Sequence, residues 1–301
     1  MAETSKRIAD LAQRQPAQLR ALEHRHASAA ARPLARALTD AETDATQRWL
    51  MTTTPHQATP SAANLQTLIE HIRKSLEAAF HGQGAYATAE AQRAAYAAAS
   101  LGIQNSSRIT ALLRGIAPPL NIPVETGPVS DRAAGAIQAG VQEEHSHALA
   151  LLTAAGLTAL GLAGLKGVFS RARRAVSRIT AGVATAITSA AANAALLVAR
   201  YLGPGMRLLW VSEPGACPAC AAYAGRSIPL GGHFPGGLSL DPRRTVFLTS
   251  IPGPPRHPHC RCSVIPWHPQ WKTSGTPLPQ LLQRLARAGM TRPTVPAQRT
   301  A

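Results

Sequence analysis

The sequence predicts a mainly α-helical chain whose long N-terminal region gives way to a small α+β, cysteine-rich module of zinc-knuckle type. Three observations carry this expectation. Aromatic residues make up only 4% of the chain and Ala and Leu dominate the apolar fraction, a composition that suits close-packed helices better than a β-sandwich. Seven of the 12 aromatic residues nevertheless crowd between Tyr201 and Trp271, which gives the C-terminal part an aromatic core of its own. All four cysteines lie in that same stretch, Cys217 and Cys220 as C-x-x-C and Cys260 and Cys262 as C-x-C. With 301 residues the chain is long enough for more than one unit. The shift in composition divides it into an Ala-rich helical region at 1–205, with a linker near 117–129, a Cys/His module at 206–272, and a short helix with a disordered tail at 273–301.

Taken in order, Ile8, Leu11, Leu19 and Leu22 place amphipathic helix on both sides of Pro16, which is expected to end or kink it. A second helical piece runs from about Arg32 to Met51, and Thr52–Pro60 reads as a loop. Ser61 is the expected N-cap of the clearest helix, whose apolar stripe is Leu65, Leu68, Ile69, Ile72, Leu76, Ala79 and Phe80. The glycines of His81–Gly84 close it. Tyr86–Ala99 and Ser107–Ile116 read as two further helices, and the four prolines of Ala117–Val129 mark a turn region. Ser130 is the expected cap of a helix carrying Ile137 and Val141.

From Ala148 to Leu165 no charge interrupts the chain, a length at the threshold for a membrane span. Its Ala, Gly and Thr content makes transfer into lipid only mildly favourable, and the same small residues suit tight packing in a helical bundle, which is the reading preferred here. Lys166–Arg178 carries five basic residues on a helix, either a solvated face or a phosphate contact. Ile179–Tyr201 is an Ala-rich helix stopped by Gly203–Pro204–Gly205. Met206–Val211, Arg226–Pro229 and Thr245–Leu248 are short β candidates, and His233 reads as a loop histidine. Near the end, Pro279 opens a last helix with Leu281, Leu282 and Leu285 on its apolar face and Gly289 as its cap.

A C-x-x-C turn presents two thiolates to one side of a tight loop, and a tetrahedral zinc ion then needs a second pair from elsewhere. The segment His257–Pro258–His259–Cys260–Arg261–Cys262 supplies the candidates. A structural zinc ion held by Cys217, Cys220, Cys260 and Cys262 is the expected arrangement, with His257 as an alternative ligand or as a hydrogen-bond partner of a ligating sulfur. Disulfides and inert thiols are the competing readings; the polar start Met1–Arg7 shows no cleavable secretory signal, which weakens the disulfide case. The gap between the two pairs exceeds the ~15–20 residues usual in a zinc ribbon.

These residues carry a resemblance. Trp210, Glu213, Cys217–Pro218–Ala219–Cys220, Tyr223–Ala224–Gly225, Pro254–Pro255–Arg256–His257–Pro258–His259–Cys260–Arg261–Cys262 and Pro266–Trp267 together resemble the phage Mu F-like family of head morphogenesis proteins. The match covers roughly a fifth of the chain, and the two half-motifs are specific only in combination. Two departures stand out. Glu213–Pro214–Gly215 replaces the Asp-Gly turn common in the family, and Arg178–Ile179–Thr180–Ala181 lacks the Glu of its Arg-Thr-Glu. The resemblance implies a minor capsid protein of a tailed phage or prophage, incorporated during head assembly in the host cytoplasm, near the portal, with portal and capsid proteins as partners.

The formal net charge of +16 attracts polyanions through salt-dependent Coulomb forces, and Arg243, Arg244, Arg256 and Arg261 put part of it beside the cysteines, where packaged DNA can be touched through phosphates. No phosphate-cradling Gly-rich loop, nucleophile elbow or H-E-x-x-H is present, and carboxylates are few, so no enzyme is expected. A zinc-dependent nucleic-acid-binding protein or nuclease is one alternative. A membrane-active protein with a hairpin of Ala148–Leu165 and Ile179–Tyr201 is the other, though a membrane is not the partner expected.

Overall fold

The computed structural model describes residues 4–53, 60–115, 121–244 and 246–290. Among them are eight helices and three strands, in the order α1 (Thr4–Thr52), α2 (Ala62–Phe80), α3 (Gln83–Arg114), α4 (Pro128–Leu151), α5 (Ala154–Ala172), α6 (Arg174–Tyr201), β1 (Arg207–Val211), α7 (Pro218–Ala221), β2 (Ser227–Pro229), β3 (Ser263–Trp267) and α8 (Leu278–Met290). The mainly α expectation holds, with a small sheet and the cysteines near the C-terminus.

The chain divides into two compact units, each assembled from separate segments: Met1–His24, Arg93–Asp131 and Ala184–Ala301 form the first, Arg25–Gln92 and Arg132–Val183 the second.

In the second unit, α2 is the element the periodicity reads best. Ser61 accepts a hydrogen bond from the Asn64 amide as N-cap, and all seven expected stripe residues are buried. Gly82 takes a left-handed φ of 69° that ends the helix, and α3 restarts at the next residue. The charge-free stretch departs from expectation. It is not one helix: α4 stops at Leu151, Thr153 caps α5 by accepting from the Gly156 amide, and Gly161 sits at φ 58° and ψ −140° inside α5. Small side chains leave little to lock a continuous helix, so a glycine can turn out of it. By length and composition Ala154–Tyr201 is apolar enough to cross a membrane, and 61% of its most apolar window is buried. Three arginines of the basic run are spent on ion pairs, Arg171 and Arg178 with buried Glu144 at 3.0 and 3.1 Å and Arg173 with Glu42.

The first unit is built around a three-stranded antiparallel sheet in the order β2–β1–β3. Side chains of β1 alternate between two cores, as a strand with both faces covered must. Leu208 and Trp210 face a cluster with Tyr223, Phe234, Cys220, Cys260 and Cys262, joined by Val264 of β3. Leu209 and Val211 face Ile8, Ala9 and Ala12 of α1, Ile109 of α3, and Leu278 and Leu282 of α8. The Trp210 ring centre lies 5.0 Å from those of Tyr223, tilted against it, and of Phe234, edge-on to it, which supplies the aromatic core expected of this segment.

Several local expectations are corrected. Pro16 does not end its helix: α1 runs unbroken for 49 residues, because Ile8, Ala12 and Leu19 bury one face across the proline. That burial, at about 1.5–3 kcal/mol for each large side chain, outweighs one missing hydrogen bond. Tyr86–Ala99 and Ser107–Arg114 are likewise parts of one helix, α3, and residues 116–120 lie outside the described residues. Ser130 lies in the first turn of α4 and donates to the Ala186 carbonyl, while the turn before it forms at Gly127, with φ 84°. The linker near 117–129 is irregular at 121–127 and helical from Pro128. Gly289 lies within α8 and does not cap it. Residues 246–248 form no strand; Thr245, the core of the 52–60 loop and the tail from 291 lie outside the described residues.

At Gly102 the helices α3 and α6 touch. An added Cβ would lie 2.8 Å from the Ala194 Cβ and 2.9 Å from the Ala191 carbonyl oxygen. Gly102→Ala is expected to destabilise the protein by about 1–3 kcal/mol through overpacking, despite Ala being the better helix former. Chemical denaturation of the full chain measures it, and a gain in stability would show that the helices separate freely there.

Candidate metal centre

Local chain geometry sets each half of the cysteine cluster. Cys217 is the N-cap of the single-turn helix α7, its sulfur accepting from the Cys220 amide at 3.5 Å, with Pro218 pre-set in the first turn. That turn puts both sulfurs on one side. The second half lies in a tight turn in which the Cys260 amide donates to the His257 carbonyl at 3.0 Å and His259 adopts a left-handed φ of 59°. Cys262 directly precedes β3, whose Ser263 pairs with Val211 of β1. One strand therefore holds both halves: β1 leads into the C-x-x-C turn and pairs with the strand leaving the C-x-C.

All five sequence candidates come together. Within each of two groups, Cys217–Cys220–His257 and Cys220–Cys260–Cys262, the ligand atoms lie within 4.8 Å of one another, and Cys220 belongs to both. His257 Nε2 stands 3.4 Å from Cys217 Sγ and 3.3 Å from Cys220 Sγ, and the sulfurs of Cys220 and Cys260 are 3.6 Å apart. A tetrahedral zinc ion with its usual bond lengths gives edges of about 3.8 Å between sulfurs and about 3.6 Å between sulfur and nitrogen. The observed separations lie close to those edges, so these residues could hold a metal ion. None of the four cysteines is in a disulfide. The other His257 nitrogen, Nδ1, is 2.8 Å from the Pro258 carbonyl oxygen. A carbonyl only accepts, so Nδ1 carries a proton and Nε2 is the atom offered to the sulfurs.

Titration of the cluster alternates. Hydrogen bonding to Cys220 lowers the Cys217 thiol to about 4, against the opposing effect of burial and with help from His257. Cys220 is raised, through its hydrogen bonds with Cys217 and then Cys260 and Cys262. Cys260 is held well below the ordinary thiol range by Cys220 and Cys262. Cys262, eased downward by Cys220, is pushed well above that range by Cys260 and by burial. His257 is raised to about 9 by its contact with Cys217. Ionising one of these sulfurs opposes ionising its neighbour, because like charges this close repel. A divalent cation removes that conflict, because a coordinating thiol ionises outright.

A charged network braces the second half. Glu23, on α1 and only 11% exposed, holds Arg261 at 2.6 and 3.1 Å and His259 at 2.8 Å, and these two residues flank Cys260. Arg261 also reaches Glu213 at 3.7 Å, and Glu213 pairs with Arg20 of α1. Sequence reading missed this brace, since nothing in the local pattern joins Glu23 to a residue 238 positions on. It also placed Arg256 and Arg261 on a basic surface. Arg256 is 7% exposed, with its guanidinium 5.7 Å from the Tyr223 ring centre and 5.5 Å from that of Phe247. Of the four arginines near the cysteines, only Arg243 and Arg244 are exposed, and both pair with Asp241.

No family model matches this chain, and neither a curated protein nor a solved structure matches it.

Glu23→Gln keeps the size of the side chain and removes the charge that holds His259 and Arg261. Metal affinity of the full chain is expected to fall by about 10-fold, as for other residues that orient ligands from behind. Chelator competition measures it; an unchanged affinity would mean that the ligand loop holds its own shape.

Proposed function

We propose that the Cys/His cluster binds one structural zinc ion and that the chain is a non-enzymatic minor head protein of a tailed phage or prophage. The observation that supports the first part is the meeting of five donors at the junction of two chain segments 40 residues apart. Three sulfurs, Cys217, Cys220 and Cys260, are common to both candidate ligand sets. His257 takes the fourth position in the reading favoured here, since its Nε2 already lies between two of them. Complete burial of the Cys262 sulfur, in the Cys220–Cys260 group, favours the second reading, a Cys₄ shell. Either set fills a tetrahedron and leaves no position for a reactive water, the pattern of a structural rather than a catalytic ion. Such an ion contributes on the order of 10 kcal/mol to folding in small zinc modules.

The second part rests on the resemblance of the two half-motifs to the Mu F-like family. It gains support from the way those residues, far apart in sequence, share one cluster and one sheet. On this reading the chain enters the phage head during assembly in the host cytoplasm and associates with portal and capsid proteins. A zinc-dependent nuclease is disfavoured by the shortage of carboxylates at the cluster: Glu23 and Glu213 are both committed to arginines.

Elemental analysis of the full chain purified under reducing conditions should give one zinc per chain. Cys220→Ser, which breaks both donor groups, should abolish it. In the cobalt-substituted protein, sulfur-to-metal charge-transfer absorption should correspond to three thiolates and survive Cys262→Ser; loss of a thiolate signal in that variant selects the Cys₄ shell. A folded, metal-free chain with four free thiols removes the zinc assignment. Mass spectrometry of purified particles tests the second part: the chain should be present in heads, and its absence ends the virion reading.

A further inference from the structure

The positive charge of this protein is unevenly placed. The first unit holds 19 of the 31 Lys and Arg residues but 7 of the 15 Asp and Glu residues, so it carries +12 of the +16. Near the cysteines that charge is spent, as the pairing of Arg261 and the burial of Arg256 show. It concentrates instead on three other segments. The start of α1, the end of α3 and α8 pack on one apolar cluster through Ile8, Ala12, Ile109, Leu278 and Leu282. Hydrogen bonds from Thr4 and Ser5 to Ser274 join the start of α1 to the chain entering α8. With their apolar sides turned inward, these segments present exposed arginines outward: Arg7 and Arg14 on α1, Arg108 and Arg114 on α3, Arg284 and Arg287 on α8. Residues 4–14, 108–114 and 272–290 together contain eight Lys and Arg and a single acid, Asp10. Among the described residues none of these six arginines forms an ion pair.

We propose that this three-helix face binds the phosphate backbone of double-stranded nucleic acid without reading its sequence. Arginine is the side chain best matched to phosphate, because its planar fork donates two parallel hydrogen bonds. Three features select this partner over others. A membrane surface needs an apolar helix face to insert, and here Leu278 and Leu282 are buried in the core. Single strands are held by stacking on exposed aromatic rings, and these segments offer none: the nearest indole, Trp271, is half-buried against Trp267. An acidic protein would also satisfy the charge, but it would be expected to meet some apolar surface at the centre of its footprint. This proposal is independent of the zinc ion and of any role in a phage head.

The test is binding of the full-length, zinc-replete chain to a fluorescent duplex of mixed sequence, measured from 50 to 300 mM salt. Wild type should bind, with an affinity that falls steeply with salt. The variant Arg7→Ala, Arg14→Ala, Arg284→Ala, Arg287→Ala should lose at least about 10-fold in affinity and about 2–4 from the logarithmic salt slope, since each lost phosphate contact removes about 0.9. Circular dichroism and Tm establish that this variant is folded; should it not be, Arg108→Ala, Arg114→Ala is the substitute and should lose proportionately. Arg243→Ala, Arg244→Ala should stay within about two-fold of wild type. Unchanged binding by the folded four-site variant, or a loss confined to the Arg243/Arg244 variant, overturns the assignment of the face. No duplex binding by wild type at 50 mM salt, or binding to anionic phosphatidylserine vesicles in its place, overturns the choice of partner.

Discussion

The pairing of β1 with its two neighbours is the constraint on which the rest of the first unit depends. Four residues of β1, Leu208–Val211, are read by two cores at once: alternate side chains enter the aromatic and cysteine cluster on one face and the helical cluster on the other. A one-residue slip would exchange every one of those side chains between faces. It would also carry Ser263 away from Val211, and with it the Cys262 sulfur away from the C-x-x-C turn. Register, core composition and ligand geometry are thus one condition. The apolar run Leu-Leu-Trp-Val without a polar break is what a strand covered on both faces requires.

Because both faces are covered, the cysteine segment is not closed by its own residues. Ile8, Ala9 and Ala12 come from the other end of the chain, and so does Glu23, the carboxylate that holds His259 and Arg261. The left-handed backbone of His259 explains why such a hold matters. A non-glycine residue in that region costs about 1–3 kcal/mol and persists where surrounding contacts demand it. Glu23 meets the two residues on either side of Cys260, so it fixes the turn where that cysteine must be aimed. A metal ion held by Cys260 and the Glu23 carboxylate of α1 then act on the same turn, and each makes the other's contacts easier to form.

What could be read from the sequence follows from the range of each signal. The stripe of α2 was legible residue for residue, because helix periodicity and an N-cap are local and nothing in tertiary packing opposed them. The five donors were legible as residue types in a known spacing. Strand β3 was not: Ser-Val-Ile-Pro-Trp contains a proline, which reads against a strand, yet β3 has β1 on one side only, where an edge strand tolerates it. The continuity of α1 through Pro16 was hidden for a similar reason, since a local rule predicts the break and distant burial repairs it. The small residues of Ala148–Leu165 predict tight packing along one helix, and Gly161 instead bends it. In β3 and α1 the error lies where tertiary context overrides a local preference, whereas in α5 the glycine's own backbone freedom decides.

Arg256 shows why formal charge is a poor guide to surface charge in this chain. Its guanidinium lies between the rings of Tyr223 and Phe247, donates to the Phe247 carbonyl, and leaves Nε and Nη1 without a partner. Burying a cation with two unfilled donors is costly unless the surroundings supply compensating charge. The ring faces supply part of it, as cation–π attraction grows when water is excluded. An arginine at the head of the ligand loop is therefore better understood as a buried cation packed on two rings than as a contact for phosphate. The same distinction separates it from Arg7, Arg14, Arg108, Arg114, Arg284 and Arg287, which are exposed and form no ion pair among the described residues.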